Sequence, residues 1–144
     1  ARALADRHYS RKTIGANLFI GPGKKLVLMT EDGKVLFAWR KSVYRLDGQK
    51  GIECTIFRNE GPELSSELIK EACLWAWHYW PGERLFTYID PRKVKSKNPG
   101  YCFKKAGWRK CGISKGGLVI LENTHPVYVR PKGLCEQLTI QFNK

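Results

Sequence analysis

Residues 52–90 read IECTIFRNEGPELSSELIKEACLWAWHYWPGERLFTYID, and a change of period inside that stretch decides the fold. Residues 52–57 (IECTIF) alternate well enough for a strand, and the loop Arg58-Asn59-Glu60-Gly61-Pro62 follows. From Ser65 to Trp80 the period becomes helical: positions 65, 68, 69, 72, 75, 76 and 79 project within about 120° of one another at 100° per residue. They are Ser, Leu, Ile, Ala, Trp, Ala and Tyr, the stripe expected to be buried, with Glu67, Lys70, Glu71 and His78 opposite. Ser65 or Ser66 is the expected N-cap, and Pro81-Gly82 the stop. Residues 85–89 (LFTYI) return to a strand that ends at Asp90-Pro91. A strand, helix and strand of these lengths predict a parallel crossover covered by its helix.

Upstream, the apolar runs 26–29 (LVLM) and 35–39 (VLFAW) flank Thr30-Glu31-Asp32-Gly33-Lys34. Asp-Gly between two such runs predicts a hairpin. Gly21-Pro22-Gly23 marks a turn before it, residues 2–12 read as a short basic helix or turn, and residues 43–50 (VYRLDGQK) read as loop. Downstream, Asn98-Pro99 opens a short helix, because proline suits the first helical position, and Gly107 closes it. Residues 109–112 and 118–121 are expected strands joined by Ser114-Lys115-Gly116-Gly117, and 138–142 is a last one. The chain holds no internal repeat.

A length of 144 residues favours a single domain. We divide it into a basic segment (1–25), a core (26–122) and an extension with one strand (123–144). With 42% hydrophobic and 12% aromatic residues the chain has enough apolar surface to exclude a disordered protein. No uninterrupted apolar run reaches the roughly 18 residues of a membrane-spanning helix.

Charge is the unusual quantity. The 26 Lys and Arg exceed the 13 Asp and Glu by a net +13. The balance is +7 over residues 1–50, −4 over 51–90, +9 over 91–115 and +1 over 116–144. The 91–115 block contains no acidic residue and interleaves its cations with Tyr101, Phe103 and Trp108. Cations beside aromatic faces suit a nucleic-acid partner. Candidate phosphate contacts are Arg7, Arg11, Lys12, Lys93, Lys95, Lys97, Lys104, Lys105, Arg109 and Lys110, with Trp108, Tyr101 and Trp39 as stacking faces. A charge block is as often a plain solvated face.

Cys54, Cys73, Cys102, Cys111 and Cys135 are spaced 19, 29, 9 and 24 residues apart, which forms no CxxC pair. An odd count without paired spacing points to free, mostly buried thiols in a reducing cytoplasm. No ligand spacing marks a metal site.

Three constellations carry possible chemistry. The strand-to-helix turn at residues 59–66 offers Asn59, Gly61, Ser65 and Ser66 at a helix N-terminus, a place for a diphosphate or simply an ordinary capped turn. His8-Tyr9-Ser10 sets an imidazole beside a phenol, a pair suited to acid–base work. Asp90 ends a strand, where α/β sheets gather ligands, and serves either as a base or as a counter-charge to the basic block.

The run from Asn98 to Trp108 (NPGYCFKKAGW) resembles the C-terminal motif of GNAT acyltransferases, in which Asn opens a helix ending in aromatic-x-x-x-Gly-aromatic. Those positions are Asn98, Phe103, Gly107 and Trp108, and the likeness spans residues 26–122. It implies an α/β GNAT-like mixed sheet: antiparallel N-terminal strands, then a β-α-β crossover, with helices on both faces. It further implies acetyl-CoA or a related acyl donor, seated by Asn59, Gly61, Ser65, Ser66, Asn98 and Tyr101. The family's Arg/Gln-x-x-Gly-x-Gly/Ala phosphate loop is replaced by Arg58-Asn59-Glu60-Gly61-Pro62-Glu63-Leu64-Ser65-Ser66, and Phe103 stands where many members carry a Tyr that protonates the leaving thiolate. His8-Tyr9-Ser10 is similar to a triplet near the N-terminus of Mom-type DNA-modification proteins of bacteriophages, which share the atypical loop. That likeness implies a transferase acting on the exocyclic amine of a DNA adenine, with His8, Tyr9, Ser10 and Asp90 as catalytic residues. The alternatives are a coenzyme-A-dependent N-acetyltransferase for a protein or small amine, and a non-catalytic nucleic-acid-binding or inhibitor protein on a GNAT scaffold.

Overall fold

The computed structural model describes residues 23–42, 45, 47–94, 97–124 and the backbone of 138–143. The strand Leu138–Asn143 pairs antiparallel with the strand Lys24–Thr30, so both ends of the described chain meet in one sheet. In chain order the elements are β1 (Lys24–Thr30), β2 (Val35–Lys41), β3 (Ile52–Asn59), α1 (Ser65–Tyr79), β4 (Leu85–Ile89), α2 (Tyr101–Lys105), β5 (Arg109–Ile113), β6 (Val119–Asn123) and β7 (Leu138–Asn143). The seven-stranded order is β5-β6-β4-β3-β2-β1-β7. The pair β3–β4, joined through α1, is parallel, as the change of period predicts, and the other described pairs are antiparallel.

The Asp32-Gly33 hairpin forms. Gly33 adopts φ +70°, and its N–H donates to Thr30 O at 2.9 Å. Asp32 Oδ1 accepts from Thr30 Oγ1 at 2.7 Å and from the Lys34 N–H at 3.0 Å, bonds that hold the carboxyl below its ordinary pKa.

Alternate residues of β1 to β4 and β6 face one core with both helices: Leu26, Leu28, Phe37, Trp39, Ile52, Cys54, Leu85, Ile89 and Leu121 meet Ile69, Ala72, Cys73, Ala76 and Trp77 of α1 and Phe103 of α2. Both described helices pack on this one face; the expected helices on both faces are matched on this side, and the other side carries Val27, Leu36, Ala38, Ile56, Phe86 and Ile120, which are buried as well. Fully burying one such aliphatic or aromatic side chain stabilises the fold by about 2 kcal/mol.

The buried side of α1 differs from the expected stripe. Ser66, Leu68, Ile69, Ala72, Cys73, Ala76 and Trp77 are buried, an arc turned by roughly 50° from the one that includes Ser65, Trp75 and Tyr79. The indole N–H of Trp77 donates to Glu83 O at 2.8 Å, which ties the helix exit to the core. Trp75 and Tyr79 stack on each other instead, with Tyr79 exposed. The cap also differs. Leu64 is the N-cap, its carbonyl receiving the N–H groups of Glu67 and Leu68 at 3.1 and 3.2 Å, because Ser65 Oγ is already engaged by Asn59.

The second helix starts at Tyr101, two residues past Pro99. Gly100 takes φ +78° and lies so close to β6 that an added Cβ would sit 2.4 Å from Leu121 Cδ1. Only glycine meets both demands. The chain therefore turns at Gly100 before it can become helical.

Candidate functional site

The sheet opens where its parallel pair ends. β3 and β4 are in register only at Ile52↔Leu85, Glu53↔Phe86 and Cys54↔Thr87. One residue later β3 carries a bulge: Ala38 faces Ile56 and Trp39 faces Cys54, so Thr55 is extra, and its hydroxyl donates to Ala38 O at 3.3 Å. At the point of parting, Thr87 Oγ1 donates to Cys54 O at 2.9 Å, satisfying with a side chain a carbonyl in the place where backbone pairing stops. Beyond it lies a cleft of about 200 Å³ lined by Cys54, Thr55, Phe57, Thr87, Tyr88, Ile89, Val94, Gly100, Cys102 and Phe103.

The chemistry of the cleft is neutral and mostly apolar. Phe103 packs edge-on to Trp108 at 5.0 Å and to Phe57 at 5.9 Å, so this motif aromatic is a core anchor. The Cys54 thiol is pushed well up by complete burial, and the half-buried Cys102 thiol is raised for the same reason. Tyr88 Oη donates to Asp47 Oδ2 at 2.7 Å. Burial, together with the Asp47 carboxylate that accepts its proton, pushes the phenol up to about 12. Asp47 is itself held far below the carboxylate range by Arg45, which also bonds Glu53 at 2.6 Å and lies over the Phe86 ring at 5.0 Å. At neutral pH these thiols and the phenol are protonated.

Of the residues named from the sequence, Cys54, Cys102 and the motif residue Phe103 line this cleft; the candidate catalytic, cofactor and phosphate residues among those described do not, though several stand beside it. Asp90 follows Ile89 directly, is nearly buried, and is bound by Arg92 through Nε at 3.1 Å and through its backbone N–H at 3.0 Å. Arg92 holds its carboxyl below the ordinary pKa, so the geometry gives Asp90 the counter-charge role rather than that of a base. Asn98 accepts Lys104 Nζ on Oδ1 at 2.7 Å. Tyr101, between the cleft residues Gly100 and Cys102, is 52% exposed.

Of the stacking candidates, Trp39 and Trp108 are corrected. They are 0% and 3% exposed, stacked on each other at 6.2 Å inside the core, and present no face to a ligand. Lys93, Lys97, Lys105 and Lys110 are exposed; Arg109 reaches solvent while bonding Glu122 at 2.9 Å. His8, Tyr9, Ser10, Arg7, Arg11, Lys12 and Lys95 lie outside the described residues.

The loop at residues 59–66 is organised around its own groups. Asn59 Nδ2 donates to Glu63 O at 2.8 Å and to Ser65 Oγ at 2.9 Å, while the Gly61 N–H donates to Asn59 Oδ1 at 2.9 Å. The Glu63 carboxylate rests against Gly61, within 2.8 Å of where a Cβ would stand. A groove of about 510 Å³ beside this loop is lined by Glu63, Glu67 and Glu71, with Lys70 as its single cation. A diphosphate would meet carboxylates where it needs N–H donors and cations. With Asn59 bonded to Ser65 and Gly61 and a carboxylate against Gly61, the residues present fit the diphosphate of a coenzyme poorly.

The cleft residues Thr87 and Tyr88 escaped the sequence reading because nothing local marks the parting of two strands; the signal available was a pair of hydroxyls in an otherwise apolar strand, LFTYI. Comparisons of the chain with protein-family models, with curated proteins and with solved structures find no match. Among the described residues no helix is long and apolar enough to cross a membrane.

Proposed function

We propose that this chain is a GNAT-like transferase that modifies nucleic acid, its acceptor the exocyclic amine of a DNA adenine. The observation that carries the reading is the cleft at the parting of β3 and β4, with the acid-free, lysine-rich block 91–115 on its rim. Support comes also from the architecture, an antiparallel N-terminal half followed by one parallel crossover, which is what the GNAT resemblance implies. Exposed cations collect the phosphate backbone, and the cleft admits a small group such as a base edge.

The described residues divide the work unevenly. Thr87 is committed to Cys54 O, and the Tyr88 phenol stands beside Phe86 and gives its proton to Asp47, so neither hydroxyl is assigned to the amine. An attacking amine must lose a proton, and the protonated thiols and phenol cannot accept it at neutral pH. The proposal gives that step to His8, whose ordinary pKa lies near neutrality. An acyl donor, acetyl-CoA or a relative, would have to be held elsewhere than at residues 59–66.

Mass spectrometry of nucleosides from DNA of cells producing the protein tests this. The expected result is a modified deoxyadenosine whose yield falls at least tenfold with His8→Ala. An unaltered nucleoside profile in cells rich in the soluble protein defeats the enzymatic reading. The self-occupied loop and the buried Phe103 favour one alternative, a protein that binds nucleic acid on this scaffold without modifying it. That alternative predicts an unaltered profile together with salt-sensitive DNA binding.

A further inference from the structure

We infer that Tyr101 is a docking site for one unpaired base of a nucleic-acid strand whose backbone is held by the flanking lysines. The inference rests on the proposed nucleic-acid partner and adds the state in which that partner is recognised.

Of the three aromatic residues in block 91–115, Phe103 and Trp108 are 5% and 3% exposed, whereas Tyr101 is 52% exposed. Exposure alone is ordinary for a surface residue; what sets Tyr101 apart is the company it keeps. Residues 101, 104 and 105 share one side of α2 by the i, i+3, i+4 rule, and Lys105 Nζ stands 5.6 Å from the Tyr101 ring centroid. Lys93, Lys97 and Lys110 are also exposed, and no acidic residue between 91 and 115 neutralises them. A ring beside Lys105, in a block whose own residues include no acid, matches an anionic chain that carries flat, stackable groups.

The base must be unpaired, because a paired base has both faces covered by its neighbours in the duplex. One base is docked, not a run, because the block offers a single exposed ring. Tyr101 lies between Gly100 and Cys102, so a base stacked there stands at the mouth of the cleft.

Binding of the full chain to labelled duplexes tests the inference. One duplex is fully paired, one carries a single unpaired adenine, and one carries a longer unpaired run. The single unpaired adenine is expected to raise affinity about tenfold, the worth of one aromatic–base stack, and the longer run to add nothing more. Tyr101→Ala should return affinity to the fully paired level, and Tyr101→Phe should keep the gain. Equal affinity of the wild type for paired and unpaired duplexes overturns the inference while leaving the nucleic-acid partner in place. Failure to bind any duplex at low salt overturns both. If acetyl-CoA alone raises the melting temperature, and Tyr101→Ala abolishes that rise while the preference for an unpaired adenine survives, Tyr101 serves a coenzyme and the inference is overturned.

Discussion

The connection from β3 into α1 and the connection from β4 into α2 do the same topological work with opposite chemistry. In the first, Asn59 gathers the Glu63 carbonyl, the Ser65 hydroxyl and the Gly61 N–H, and carboxylates surround the turn. In the second, the residues after Asp90 carry exposed cations, and the polar group nearest the cleft mouth, Tyr101, is open to solvent. A helix N-terminus attracts anions only when its donors are free and its neighbours are not already anionic. Position in the fold nominates the first connection; composition nominates the second. The hydrogen bonds show the first turn closed on its own groups.

Variants can break or sharpen that contrast. The largest effect is expected at the anchor of the second connection. Phe103→Ala removes a ring packed against Phe37, Phe57 and Trp108, and should lower unfolding stability in urea by about 4 kcal/mol. A loss below about 1 kcal/mol would mean that α2 is not seated on the core as described.

A middle-sized effect separates the two connections directly. Asn59→Ala breaks the three bonds that close the first turn and should cost about 2 kcal/mol, with DNA affinity unchanged. Lys97→Ala and Lys105→Ala should do the reverse, leaving stability alone and lowering the log–log salt slope of DNA binding by about 0.9 each. If Asn59→Ala weakens DNA binding at equal stability, the assignment of the two connections is wrong.

The smallest effect concerns Glu122, which binds Arg84 at 2.7 Å and Arg109 at 2.9 Å and is held by them below the ordinary carboxylate pKa. Its stabilising contribution is complete above the unfolded value of about 4.3 and fades as pH falls through the lower folded value. Glu122→Gln should flatten the loss of stability on acidification in that window and, by releasing Arg109, slightly strengthen DNA binding at low salt. Parallel acid-unfolding curves for wild type and variant would contradict this.

Much of the fold was legible in the chain, and for local reasons. Asp32-Gly33 specifies a hairpin within its own few residues, and the strand, helix, strand succession of residues 52–89 specifies a crossover by period alone. The opening of the sheet was not legible. It depends on Thr55 being extra relative to β2 and on Thr87 capturing the Cys54 carbonyl, and both are facts of pairing between distant segments. The buried side of α1 was misplaced because Trp75 and Tyr79 are as apolar as Trp77; the Trp77 bond to Glu83 settles which indole turns inward. The same limit applied to Trp39, Tyr101 and Trp108. Composition makes all three stacking faces, and packing leaves one.

The edge strand β5 carries a further consequence. Its sequence RKCGI lies almost wholly exposed at the end of the sheet, with a break in register around Cys111, where Lys110 faces Leu121 and Gly112 faces Ile120. An open strand edge invites another copy of the chain to extend the sheet, and adjacent cations with an irregular register are what discourage it. By that rule the cations Arg109 and Lys110 disfavour such pairing whatever else they do. Neutralising them should show first as turbidity in concentrated solution.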